Sequence, residues 1–217
     1  MGAFSAFLDI LFPPRCVFCR RFLKNSSALI CDGCLESLPY TRNGGEMKGD
    51  FFSACIAPLY YEGDVRESLL RFKFKNATGY SKAYGKLLAD CIRENLAGRY
   101  DLISWVPLSQ KRLKERGYDQ AMLLALAAAL ELDDVAVCTL EKTLDAEKQS
   151  LMGSAEKRRA NISGAYRAAD PELTEGKRIL LIDDIVTTGS TLSECAKTLL
   201  NAGAAEVLCA AVACARD

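Results

Sequence analysis

The segment from Arg178 to Thr191 constrains the fold more than any other part of this chain. Four consecutive aliphatic residues, Ile179 to Ile182, predict a short strand buried on both faces, since a half-exposed strand would alternate with polar residues. Asp183 and Asp184 stand where that strand is expected to end, and Thr187, Thr188, Gly189, Ser190 and Thr191 follow. Apolar positions Leu192, Cys195, Ala196 and Leu199 then recur at helical spacing over 191–200, with Gly203 as a stop signal. A strand, a loop and a helix N-terminus in that order direct backbone N–H groups and a positive dipole end at an anion. In an open α/β sheet such a loop falls at the carboxyl ends of the strands, where ligands bind.

The residue types give the loop a chemical reading. Thr187, Thr188, Ser190 and Thr191 carry hydroxyl donors, and Gly189 lets the backbone approach a phosphate without a Cβ in the way. Adjacent carboxylates at 183 and 184 suit a polyol or a hydrated Mg²⁺. A ribose 5-phosphate meets both requirements. Over the thirteen positions Ile179 to Thr191 the chain resembles the type I phosphoribosyltransferase signature. That resemblance implies phosphate in the 187–191 loop and the ribose 2′ and 3′ hydroxyls on Asp183 and Asp184. The chain has neither a P-loop nor a dinucleotide fingerprint. An aspartyl phosphotransferase leaves the Thr-Thr-Gly-Ser-Thr tail unexplained. The plainer alternative is a strand followed by a Ser/Thr-capped helix.

At 217 residues the chain has room for one sizeable core and a small appended module. Lys+Arg and Asp+Glu both number 28, so net charge by itself points to no nucleic-acid or membrane partner. The absence of histidine removes Ser-His-Asp and Cys-His catalysis and leaves cysteine as the only thinkable transition-metal ligand. Ten cysteines raise the question of secretion. The first residues lack a basic n-region, Asp9 interrupts their short apolar run, and Ala6 spoils a myristoylation pattern. The longest apolar runs have nine residues, too few to cross a bilayer. A cytoplasmic protein with reduced thiols and no membrane insertion is the expectation.

Phe4, Phe7, Leu8, Leu11 and Phe12 share one helical face, ended by Pro13-Pro14. Next come Cys16-x-x-Cys19, eleven intervening residues and Cys31-x-x-Cys34, two knuckles that together supply four thiolates for a tetrahedral Zn²⁺. A structural zinc would provide on the order of 10 kcal/mol toward folding a segment too short for its own core. Two disulfides and an iron–sulfur cluster are the alternatives, and both fit the expected compartment and partners less well. The remaining cysteines sit singly among apolar residues and read as small core hydrophobes. Gly44-Gly45 and the polar residues to Asp50 read as a linker between a 1–45 module and a 51–217 domain.

Within that domain, 53–61 and 102–106 read as strands, 65–74, 80–96 and 120–132 as helices, and 207–213 as a last buried strand. Arg66, Arg71, Lys73 and Lys75 interleave with Phe72 and Phe74, a pattern that suits a solvated helix face or an anion patch equally. Lys111, Arg112 and Arg116 follow the 102–106 strand in what reads as a basic loop, placed for a second phosphate group or simply at the surface. The polar stretch 141–160 shows no strand pattern and reads as a long loop of the kind that closes over sites.

Taken in chain order, the Cys-x-x-Cys pairs, Tyr61-x-Gly63-x-x-Arg66, Lys73-Phe74, Val106-Pro107-Leu108, Arg116-Gly117-Tyr118-Asp119-Gln120, Gln149, Arg158-x-x-Asn161-x-x-Gly164-Ala165-Tyr166 and the Asp-Asp loop resemble the ComF family (competence protein F, ComFC/GntX-like) along essentially the whole chain. Asp119 stands where that family usually has Asn. The resemblance implies a four-cysteine zinc module fused to a type I phosphoribosyltransferase domain, an α/β fold with a mostly parallel sheet flanked by helices. It further implies 5-phosphoribosyl-1-pyrophosphate with Mg²⁺ as ligand, Lys111, Arg112 or Arg116 on the pyrophosphate, and a 149–161 loop closing over it with Arg158 in a catalytic position. Family members are linked to DNA uptake in natural transformation, and some to single-stranded DNA. Two functions therefore stand as expectations: a phosphoribosyltransferase of unknown acceptor, or a competence protein that binds single-stranded DNA or protein partners and uses the fold to sense a ligand or as scaffold.

Overall fold

The computed structural model describes residues 13–25, 28–143 and 164–216. The 3–12 helix, the 149–161 loop and Arg158 therefore lie outside the described residues. Five strands form one wholly parallel sheet, in which β1 (Ala54–Ile56) and β2 (Leu59–Tyr60) both pair with β7 (Glu206–Cys214). Strand β7 pairs with β6 (Arg178–Val186), and β6 with β3 (Leu102–Trp105). The continuous 53–61 strand expected from the sequence is thus two strands. Pro58 lies between them and has no N–H to give a ladder.

Strand β6 also runs further than its aliphatic block. Its pairing with β3 stops at Ile182, but its pairing with β7 continues through Asp183, Ile185 and Val186. Asp183 and Asp184 are therefore inside the strand, at the point where one of its two neighbours has ended. Alternation along β6 sends Ile179 and Leu181 into one buried cluster and Leu180 and Ile182 into the other. The first cluster lies under α6 (Ser190–Asn201). The second lies under α2 (Gly63–Phe74), α3 (Tyr80–Leu96) and α5 (Gln120–Leu132).

The residues read as a basic loop after β3 form a helix, α4 (Gln110–Arg116). Ser109 accepts the Arg112 N–H as N-cap, and Gly117 ends the helix in the left-handed region at φ 80°. A second, antiparallel pair joins β4 (Leu140–Lys142) to β5 (Tyr166–Ala168), so the start of the 141–160 stretch is a strand rather than a loop. The short helix α1 (Asp32–Ser37) carries Cys34.

The cysteine knuckle is not an appendage. Cys16, Val17, Phe18, Cys34 and Leu38 are buried in the same cluster as α2 and α3. Arg71 of α2 donates from Nη2 to the carbonyls of Val17 (3.0 Å) and Phe18 (2.6 Å), and Ser68 Oγ donates to Val17. The Phe18 ring meets the edge of Tyr84 at 6.0 Å, and Tyr84 in turn meets Phe72 at 5.5 Å. The segment read as a linker folds back along β1, with Met47 bridging Cys55 and the Ala57 N–H donating to Gly44.

Candidate functional site

A cavity of about 150 Å³ opens beyond the end of β3. Its walls carry Asp183 and Asp184 from β6, Lys73 from α2, Arg112 and Arg116 from α4, Lys142 and Tyr166 from the small sheet, and Thr191 from α6. A second hollow of about 40 Å³ lies under the 187–191 loop and shares Asp183 and Thr191 with the first. Most of the residues singled out in the sequence are therefore brought together. Lys111 is exposed on α4 and is not part of either lining.

The two carboxylates straddle the sheet. By alternation Asp183 follows Ile179 and Leu181 toward α6, whereas Asp184 follows Leu180 and Ile182 toward α2 and α5. Both reach the cavity because β3 no longer covers this edge. Asp183 Oδ1 accepts the Asp184 N–H at 2.8 Å. Burial and the neighbouring Asp184 charge push the Asp183 carboxyl up to about 8, against the pull of that N–H and of Lys73. Asp184 instead has a cation at hand, Lys73 Nζ at 2.9 Å from its Oδ2.

Asp119 sets the position of the basic helix. Its Oδ2 accepts the Leu108 N–H at 2.8 Å and its Oδ1 the Met122 N–H at 3.1 Å, which ties the β3–α4 connection to the start of α5. A carboxylate accepts at both oxygens where an amide can accept at only one. Burial holds the Asp119 carboxyl above the usual carboxylate range, against the pull of the Leu108, Met122 and Ala121 N–H groups. Arg116 Nη1 donates to Gln120 Oε1 at 2.8 Å, so α5 also orients the last cation of α4.

The loop has the backbone its glycine promised. Gly189 takes φ 71°, and a Cβ there would lie 3.4 Å from Cζ of Phe52. Thr188 Oγ1 and Ser190 Oγ lie 2.9 Å apart, which turns both hydroxyls to one side of the turn.

Two residues of the cavity wall, Lys73 and Lys142, escaped the sequence reading. Lys73 was indistinguishable there from its basic neighbours, and only the Lys-Phe pair of the family resemblance marked it. Lys142 belonged to a stretch without pattern, and its ammonium donates to Tyr166 Oη at 3.1 Å. No local signal would have placed it.

At the other end of the chain the sulfurs of Cys16, Cys19, Cys31 and Cys34 all lie within 4.8 Å of one another, with Cys19 and Cys31 at 3.6 Å. Tetrahedral zinc with Zn–S bonds of about 2.3 Å sets its sulfurs roughly 3.8 Å apart, so the four thiols fit that ion. Burial pushes the Cys16 thiol up, but N–H groups of Cys31, Cys19 and Phe18 outweigh it and bring the group down to about 7. Burial and the surrounding thiols push Cys34 well up. A dication at the centre stabilises all four as thiolates.

Comparison with known proteins matches both parts of the chain to known domains. Residues 119–217 match the phosphoribosyl transferase domain, and residues 7–46 the double zinc ribbon domain. Competence protein F of Haemophilus influenzae is 30% identical over 214 residues, which cover 89% of this chain and 93% of that protein. The chain belongs to the competence protein F family. Competence protein ComFC of Streptococcus pneumoniae is likewise 30% identical, over 85% of this chain and 87% of its own length. The DNA utilization protein YhgH of Escherichia coli is 39% identical over 49% of this chain and 46% of its own. As a ComF family member, the protein carries a type I phosphoribosyltransferase fold and an N-terminal four-cysteine zinc ribbon. Among the described residues no helix is long and apolar enough to cross a membrane.

Proposed function

We propose that this ComF protein binds 5-phosphoribosyl-1-pyrophosphate at the carboxyl end of β6 and β3. The observation that carries the reading is the division of charge across two adjoining hollows that share Asp183 and Thr191. Hydroxyls and backbone of residues 187–191 sit at one end, Asp183 and Asp184 in the middle, and Lys73, Arg112 and Arg116 opposite. A phosphate, a polyol and a diphosphate arranged in that order match it group for group. The loop takes the 5-phosphate, the carboxylates take the ribose hydroxyls, and Arg112 and Arg116 take the pyrophosphate. Lys111 on the pyrophosphate and Arg158 in a catalytic position rest on the family resemblance alone.

Mg²⁺ fits the donor set as a companion of the diphosphate. Hard carboxylate oxygens suit it, and it ordinarily keeps several waters beside one or two carboxylates and substrate phosphates. The opposed directions of Asp183 and Asp184 argue against both chelating one ion. The ion would neutralise charge on the departing pyrophosphate. The protein's own part in a transfer is positioning and fixed charge, chemistry with which the absence of histidine is compatible.

The names of the relatives connect the family with competence and DNA utilization, and a role in DNA uptake is part of this proposal. Calorimetry with the diphosphate sugar and Mg²⁺ tests the binding, and a pyrophosphate-release assay across bases, amines and single-stranded DNA tests transfer. The folded Asp183→Asn/Asp184→Asn double variant is expected to bind at least tenfold more weakly, because each charge-assisted contact contributes about 1.5–3 kcal/mol. Equal affinity of parent and variant would sink the assignment.

A further inference from the structure

Beside the cavity lies a larger, open groove with a volume of about 440 Å³. Its lining is Lys73, Phe74, Asn76, Arg112, Glu115 and Arg116. Three of these six, Lys73, Arg112 and Arg116, also line the cavity assigned to the diphosphate sugar. The groove thus continues that site outward across its cationic wall.

Phe74 is the unusual member. Phe72 is wholly buried, whereas Phe74 at the end of the same helix is 63% exposed. The guanidinium carbon of Arg116 lies 5.1 Å from the Phe74 ring centroid, a cation–π contact. A purely anionic partner would engage the cations and leave the ring in water. A purely apolar one would cover the ring and bury guanidinium groups without acceptors. A nucleotide unit offers a flat aromatic face and a phosphate together, the combination that single-strand-binding grooves use.

We propose that this groove is a nucleotide subsite, with a base stacked on Phe74 and its phosphate on Arg112 and Arg116, and that its occupancy opposes binding of the diphosphate sugar next door. Two anions drawing on the same two guanidinium groups, Arg112 and Arg116, repel each other, and the linkage is reciprocal: each ligand weakens the other by one factor. The antagonism rests on the phosphoribosyl reading of the cavity; the stacking subsite does not.

The test uses the full chain and a short 5′-fluorescein-labelled thymidine oligonucleotide, followed by anisotropy at low salt. Phe74→Ala is expected to weaken oligonucleotide binding by about fivefold to a hundredfold. Phe74→Tyr should restore it, and a thermal melt should find both variants folded, since the side chain is mostly in water. Calorimetry should give Phe74→Ala the parent's affinity for the diphosphate sugar. Saturating diphosphate sugar with Mg²⁺ should weaken oligonucleotide binding to the parent by at least about fivefold. Displacement by thymidine 5′-monophosphate would mean that a free nucleotide suffices, and failure to displace would mean that the strand is needed. Undetectable oligonucleotide binding, or equal affinity of parent and Phe74→Ala, overturns the subsite. Unchanged oligonucleotide affinity under saturating sugar overturns the antagonism. If the parent fails to bind the sugar at all, the cavity reading and the antagonism fall together, and the Phe74 comparison alone decides the groove.

Discussion

Lys73 Nζ lies 2.9 Å from Asp184 Oδ2, with only 18% and 12% of the two side chains exposed. The pair joins the end of α2 to the strand that carries the acidic residues, so α2 is part of the site and not only a cover for the sheet. Removing one partner leaves a charge in a poorly hydrated place, a change that costs about 3–5 kcal/mol when burial is complete. Lys73→Met is therefore expected to destabilise the protein by about 2–3 kcal/mol, discounted for the remaining solvent contact. Asp184→Asn added to it should recover most of that stability without recovering ligand affinity. Urea melts of the two variants, alongside calorimetry, check both halves.

The carboxyl of Asp183, raised to about 8 by burial and by Asp184, gives stability a pH dependence of definite sign. An unfolded aspartate titrates near about 3.9, so between that value and about 8 the folded state holds a proton that the unfolded state has lost. The resulting contribution is fully present below the unfolded value and is lost as pH rises through the folded one. The melting temperature of the parent should fall from pH 5 toward pH 8 more steeply than that of Asp183→Asn. Parallel profiles would show that Asp183 is ionised throughout.

Ligand binding should run the opposite way. Ribose hydroxyls and Mg²⁺ both prefer the carboxylate, so at neutral pH binding should release protons, and affinity should rise toward pH 8. Calorimetric enthalpies measured in buffers of different ionisation heat report the number released, and a value of zero contradicts the expectation.

The shared core of knuckle and helices predicts how zinc removal acts. Cys31→Ser should lower zinc content below one equivalent and lower the melting temperature of the whole chain in a single transition, because Val17 and Phe18 are buried against α2 and α3. A separate low-temperature transition with the main one unmoved would mean that the knuckle folds by itself. Arg71→Met, which removes the bonds to the Val17 and Phe18 carbonyls and keeps all four thiols, should shift the same transition downward.

Gly189→Val should act on the phosphate loop through two separate causes. A φ of 71° costs a residue with a Cβ about 1–2 kcal/mol, and a β-branched one more. The added Cβ would already stand in contact with Phe52, 3.4 Å from its Cζ, which leaves little room for the two methyls beyond it. Loss of diphosphate-sugar binding by at least tenfold with a modestly lowered melting temperature is expected, and calorimetry with a melt reads both.

By itself the sequence determined what short-range chemistry determines. Two Cys-x-x-Cys knuckles specify a four-thiolate centre because each bends its sulfurs to one point over four residues. The aliphatic block, the acids and the Thr-Thr-Gly-Ser-Thr turn specify a strand, a loop and a helix start because a dozen contiguous residues carry the whole signal. Pairing partners and faces were decided elsewhere. Asp183 and Asp184 lie inside β6 because β7 is long enough to pair with them, and both reach the cavity because β3 is short. Ser109 and Gly117 bracket a helix that basic composition disguised as a loop. Lys73 became the partner of Asp184, and Lys142 a wall of the same cavity, only when helix and hairpin packed at the edge that β3 leaves open. Such contacts join residues remote along the chain, and no local preference of either residue encodes the other's position.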